Sequence, residues 1–196
     1  MIEEIKEYQY DPLVAKLRQR VIEEARQSEH IGSWFLPQHL MEVERFANLL
    51  CNKHPEADRD IVGLGVWFHD IGRLRGQDEG HDVFGAEEAK RVLSKEDYPA
   101  DKTERVYEVC RSHRCKDVQP ESLEAKILAT ADAVSHFTHA FYFRLFQHYQ
   151  GEMSFDEIRE VVRKKIERDF NDKMFFDEAR EEVRDKYEAM KTVLSD

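Results

Sequence analysis

The chain has 196 residues, 41% hydrophobic and 36% charged, with a formal net charge of −11. That balance belongs to a globular protein with one sizeable core and excludes a disordered chain, and the acidic excess argues against a nucleic-acid polymer or an anionic membrane as partner. The longest apolar run, IVGLGVWF at 61–68, is far short of the ~20 residues that cross a bilayer, and the acidic opening MIEEIKEYQY has no signal-peptide core, so the expected location is the cytoplasm.

Helix signals dominate, and with only 8 Gly and 5 Pro the turns are few and the elements long. Asp11-Pro12 reads as an N-cap and first helical residue ahead of LVAKLRQRVIEEARQS. Pro37 opens a second helix, on which His39, Val43, Phe46 and Leu50 share one face. DRDIVGLGVWFHDIG at 58–72 reads as a third, mostly buried helix. Its Gly63 and Gly65 admit a close neighbour at a propensity cost of ~1 kcal/mol each. Helical stretches at 83–94, 101–113 and 120–137 follow, and the aromatic FTHAFYFRLFQHYQ at 137–150 either extends the last of these or forms its own helix. Ser154-Phe155-Asp156-Glu157 is a capping box. Phe176, Ala179, Val183, Tyr187, Met190 and Leu194 form an apolar stripe on a final helix, read as core packing rather than a dimer face. No run alternates with period two, so the expected fold is all-α. Residues from about 151 onward read as a helical extension on the same core, with no linker composition before them, so the whole of 1–196 is taken as one domain. Cys51, Cys110 and Cys115 form no C-x-x-C pair and fit reduced thiols in the cytoplasm.

His69 and Asp70 stand side by side where the buried run ends, a costly place for ionisable groups without partners. Neighbours on a helix point ~100° apart, yet both can reach one ion at the helix edge. A divalent cation would neutralise the carboxylate and take an imidazole nitrogen. Further donors must come from elsewhere. His39 lies on the core face of its helix. His113 shares a face with Val106, Val109 and Cys110, and Asp132 shares one with Ala125, Leu128 and Ala129. His81 precedes a helix start. Singly, each has a plainer reading: a hydrogen-bonded core histidine, or a buried carboxylate bonded to backbone or arginine. The argument rests on the set.

That set, in this order, resembles the HD-domain superfamily of metal-dependent phosphohydrolases. HDIGR resembles its central motif, HDVFGAEEA its His-x-x-x-Gly-Ala segment, VCRSHR its later helix-borne His and LATADAV its closing Ala-Asp, together spanning about residues 35–140. The resemblance implies a single-domain helical bundle of HD type and His39, His69, Asp70 and Asp132 as ligands of one metal. In members with two ions, Asp70 would bridge them, with His81 and His113 on the second. His81 lies eleven residues past Asp70, where an exposed loop histidine fits equally well. His30, His54, His136, His139 and His148 match no motif position and read as surface or supporting residues. His136, four residues past Asp132, is the best placed of them to support the site.

The implied reaction is hydrolysis of a phosphate ester or anhydride by a metal-activated water that Asp70 orients or deprotonates. The expected substrate is a small phosphorylated metabolite or a nucleotide. Mixed His/Asp ligation suits Mn, Fe, Co or Zn better than Mg. Arg73 and Arg75, directly after the motif, are read as phosphate contacts or else as solvated loop residues; Arg111, Arg114 and Lys116 are weaker candidates. The rival readings are an HD-type di-iron oxygenase and a regulatory or binding module with a structural metal.

Overall fold

The computed structural model describes residues 9–195, so residues 1–8 of the acidic opening segment lie outside the described residues. Asp11 accepts the Leu13 amide at 2.9 Å and Pro12 fills the first turn, which starts α1 (Pro12–Gln27) where the sequence places it. The Pro37 segment forms a single π-helical turn over Leu36–Leu40, closed by the Met41 amide on the Leu36 carbonyl, and runs into α2 (Met41–Lys53). Such wide turns displace a side chain relative to the helix that follows them, and here the displaced residue is His39.

α3 (Arg59–Phe68) is capped by Asp58 and buried from Ile61 to Phe68. Its glycines do what their spacing predicts: a Cβ on Gly63 would lie 2.5 Å from Tyr10, and one on Gly65 the same distance from Val109. The single helix expected over 58–72 is, however, interrupted. α3 stops at Phe68, Asp70 adopts φ −112° and ψ 16°, and a short α4 (Ile71–Leu74) follows. The reason is packing. α5 (His81–Lys95) crosses at Gly85, where a Cβ would sit 2.5 Å from the Phe68 carbonyl oxygen and 2.8 Å from that of His69.

α6 (Ala100–Ser112) packs on α5, and α7 (Leu123–Thr138), capped by Ser122, is buried along most of its length against α2, α3, α6, α9 and α10. α8 (Phe141–Tyr149) is a separate helix, divided from α7 by extended backbone at His139. α9 (Phe155–Asn171) begins with the expected capping box, and α10 (Asp177–Leu194) turns back along it. Val162, Ile166, Phe170, Ala179, Val183 and Tyr187 join the one hydrophobic core. Phe170 and Tyr187 stack with ring centroids 3.9 Å apart. The turn between the two helices is pinned to α7 by Thr130, whose Oγ1 accepts the Phe175 amide at 3.0 Å and donates to the Lys173 carbonyl. Among the described residues there is no strand beyond one isolated bridge, Gln150 to Met153, so the fold is all-α. The three cysteines are buried and free, and no described helix is long and apolar enough to cross a membrane.

Gly85→Ala tests the crossing. Its methyl would meet two backbone carbonyls rather than a yielding side chain, so the variant is expected to lose about 1–3 kcal/mol of stability in urea titration despite alanine's better helix propensity.

Candidate metal centre

Seven ionisable side chains converge where these helix ends meet. His39 comes from the π-helical turn and His69 and Asp70 from the α3–α4 break. His81 is the first residue of α5, His113 follows the last of α6, and Asp132 and His136 lie one turn apart on α7. None is more than 5% exposed. His81 is therefore buried in the cluster rather than loose in a loop.

Three of the imidazoles are oriented by the same device. Nδ1 of His69, His81 and His113 lies 2.8, 2.6 and 2.6 Å from the carbonyl oxygen three residues earlier, on Val66, Asp78 and Cys110. A carbonyl only accepts, so Nδ1 carries the proton and Nε2 of the neutral ring presents a lone pair. In His39, Nδ1 lies 3.0 Å from Ser135 Oγ, whose own proton goes to the Asp132 carbonyl at 2.7 Å, which again makes Nδ1 the donor. The four Nε2 atoms then face carboxylate oxygens. His39 Nε2 is 3.2 Å from Asp70 Oδ2 and 3.6 Å from Asp132 Oδ1. His69 Nε2 is 3.7 and 4.0 Å from the same two atoms. His81 and His113 Nε2 are 3.3 and 3.7 Å from Asp70 Oδ1.

Lone pairs aimed at carboxylates repel unless a cation lies between them. His69 Nε2 is moreover buried without a hydrogen-bond partner. Two of the triads the donors form share Asp70, His39–His69–Asp70 and Asp70–His81–His113, each with ligand atoms within 4.8 Å of one another. Asp70 belongs to both, one oxygen toward each. The residues present fit one or two divalent transition-metal ions.

Protonation agrees. Burial pushes His39 down to about 4, and burial is also the main cause of the lowered values of His81 and His113. Burial alone would raise the two carboxylates. The cations beside them, Arg73 for Asp70 and Lys173 for Asp132, instead hold both well below the ordinary range. The resting pattern is thus neutral His39, His81 and His113 with ionised carboxylates, the form in which both ligate metals.

The structure separates the two arginines read as phosphate contacts. Arg73 Nε lies 3.3 Å from Asp70 Oδ1, and its side chain is 34% exposed at the rim of the cluster, where it also bonds Asp78. Arg75 corrects the expectation. Its guanidinium is held by Glu24 at 2.5 Å and Glu88 at 2.8 Å, carboxylates from α1 and α5 outside the cluster, so its charge is already matched. Arg111 and Arg114 are likewise both engaged by the buried Asp82.

The C-terminal extension supplies residues that matched no motif. Lys173 is buried and bonds Asp132 Oδ2. Asp169, fully buried on α9, accepts from His136 Nδ1 at 2.8 Å and from Tyr142 Oη at 3.0 Å, and it pairs with Lys165 at 2.6 Å. One signal for them was present: Val162, Ile166, Asp169 and Lys173 repeat the spacing of His39, Val43, Phe46 and Leu50, so two charges sit on an apolar stripe.

Residues 37–136, about half of the chain, match the family model of the HD domain. Among solved structures, the chain is similar to a predicted HD superfamily hydrolase from an uncultured Thermotogales bacterium, with 21% identity, a TM-score of 0.62 and coverage of 93% of this chain and 90% of that one. It is also similar to an HD-superfamily hydrolase from Bacillus thuringiensis, with 15% identity, a TM-score of 0.64 and 93% of each chain covered. At these identities the likeness is one of fold. No curated protein matches the chain in sequence.

Two outcomes are expected of the metal-free protein. Lys173→Met leaves the Asp132 carboxylate buried and unpaired and should cost about 3–5 kcal/mol in chemical denaturation, part of which Asp132→Asn in the same chain restores. Unfolded imidazoles titrate at their ordinary 6.5, whereas His39, His81 and His113 resist protonation in the fold. The unfolded state therefore binds more protons below 6.5, so stability rises with pH between about 4 and 6.5 and is lost on acidification through that window. Denaturant midpoints measured across it should fall steadily toward the acid end.

Proposed function

The chain belongs to the HD-domain family, and from that premise we propose that it is a metal-dependent phosphohydrolase acting on a small phosphorylated metabolite or nucleotide. The observation that carries the reading is the set of four imidazoles, each locked with its Nδ1 proton outward and its Nε2 aimed at Asp70 or Asp132. His39, His69, Asp70 and Asp132 would hold one ion, and Asp70, His81 and His113 a second.

A divalent transition ion bound there supplies a Lewis acid and lowers the pKa of water from 15.7 toward ~7. The side chains do the rest. Asp70, ionised and facing both triads, orients the attacking water or accepts its proton. Arg73, the cation at the rim, is placed to bond a substrate phosphate when that phosphate displaces Asp78. Phe141, only partly buried, lies beside His39 and His136, and Trp34 meets it edge to face at 6.3 Å; these two aromatic rings fit a nucleotide base. The reduced, buried cysteines fit the cytoplasmic location expected from the sequence.

The second triad also favours one alternative, an oxygenase with two irons, because a complete Asp70–His81–His113 set suits a dinuclear centre. A panel of nucleotides and phosphoesters, assayed after chelation and reloading with Mn, Fe, Co, Zn or Mg, decides between them. Phosphate release without dioxygen supports hydrolysis; turnover only with Fe and dioxygen favours the alternative. Asp70→Ala should abolish turnover and lower metal content by elemental analysis while the far-ultraviolet circular dichroism stays helical. Arg73→Ala should raise KM about 10- to 150-fold, the equivalent of the ~1.5–3 kcal/mol of a charge-assisted bond, whereas Arg75→Ala should leave KM unchanged.

A further inference from the structure

We propose that His136 is an additional ligand of the ion at the Asp132 end of the centre, aimed by Asp169. The inference rests on the metal-centre reading above and extends it to a residue outside the motif.

His136 lies one turn after Asp132 on the same face of α7, and its Nε2 is 3.3 Å from Asp132 Oδ1. His39 and His69 Nε2 face that same oxygen at 3.6 and 4.0 Å. A proton on one of these rings satisfies one of the three contacts and leaves two lone pairs directed at the carboxylate. An ion among them satisfies all three. The ligand atoms of His39, Asp132 and His136 lie within 4.8 Å of one another.

The other side of the ring supports the same assignment. Its Nδ1 bonds Asp169, a carboxylate with no exposure, at 2.8 Å. An imidazole that gives one N–H to a buried carboxylate and turns its other nitrogen toward a cluster has the usual disposition of a metal-ligating histidine. The ring is also fixed in plane. Phe141 stacks on it at 3.7 Å, and the His39 ring runs nearly parallel at 5.4 Å. A purely structural role, holding Asp132 in place, is already filled by Lys173 on Oδ2. With His136 the first ion has three nitrogen and two oxygen donors, a set that favours a transition ion over Mg.

The experiment uses full-length protein loaded with Co. Anomalous scattering from crystals of the unaltered chain should place His136 Nε2 about 2.0–2.2 Å from the peak near Asp132. In solution, His136→Gln should weaken Co binding about 100-fold or more and change its visible absorption spectrum, and Asp169→Asn should weaken binding about 10- to 100-fold. A peak on His39, His69, Asp70 and Asp132 with His136 Nε2 beyond bonding distance overturns the proposal and leaves the metal-centre reading intact. An unaltered chain that binds no Co overturns both. If His136→Gln fails to fold, the crystals and Asp169→Asn still decide. An unchanged spectrum and affinity in Asp169→Asn would remove the aiming role.

Discussion

Two ionised carboxylates buried among imidazole lone pairs are the constraint to which the rest of the molecule answers. Asp70 and Asp132 cannot sit in a dry interior facing electron pairs unless positive charge lies between or behind them. Helix ends meet the first half of that demand. A helix leaves its last carbonyls without partners, and the carbonyls of Val66 and Cys110 belong to the final turns of α3 and α6. The ring N–H groups of His69 and His113 bond those carbonyls. Each bond therefore satisfies a helix end and fixes a tautomer at once. This is why the cluster lies where helices stop.

The second half of the demand is met from further away. Three buried acids, Asp70, Asp132 and Asp169, are matched by Arg73, Lys173 and Lys165. Two of the three cations come from the C-terminal extension, Lys165 on α9 and Lys173 in the turn after it. The extension is thus part of the centre's electrostatics as well as of its packing, and the Thr130 bonds that pin the turn before α10 fix where Lys173 enters.

Much of this was legible in the sequence wherever it depended on local periodicity. The Asp11-Pro12 start, the Ser154 capping box, the close approach at Gly63 and Gly65 and the inward faces of His39, His113 and Asp132 all follow from spacing of three and four residues. The break at Asp70 was not legible, because it is imposed by α5 crossing at Gly85 rather than by its own residues, and no local spacing marks the π-helical turn under His39. Arg75 looked equivalent to Arg73 two residues away, yet its partners Glu24 and Glu88 come from other helices. Lys173 and Asp169 pair with α7 across 41 and 33 residues, a separation that periodicity cannot bridge. What the sequence did offer was their misfit, two charges on an apolar stripe.

The charge balance also bears on what the centre can attract. Without an ion, acids and side-chain cations cancel, and a chain of net charge −11 gives a phosphate no reason to approach. Each divalent ion added to the cluster shifts its charge by two positive units in a low-dielectric setting, where such a change counts for far more than at the surface. Arg73 is the most exposed of the three cations, so on the proposed reading it would exchange Asp78 for a substrate oxygen while Lys173 stays buried on Asp132. Metal binding would then do more than complete the donor set. It would turn a cluster that is indifferent to anions into the place on an acidic protein where a phosphate is drawn in.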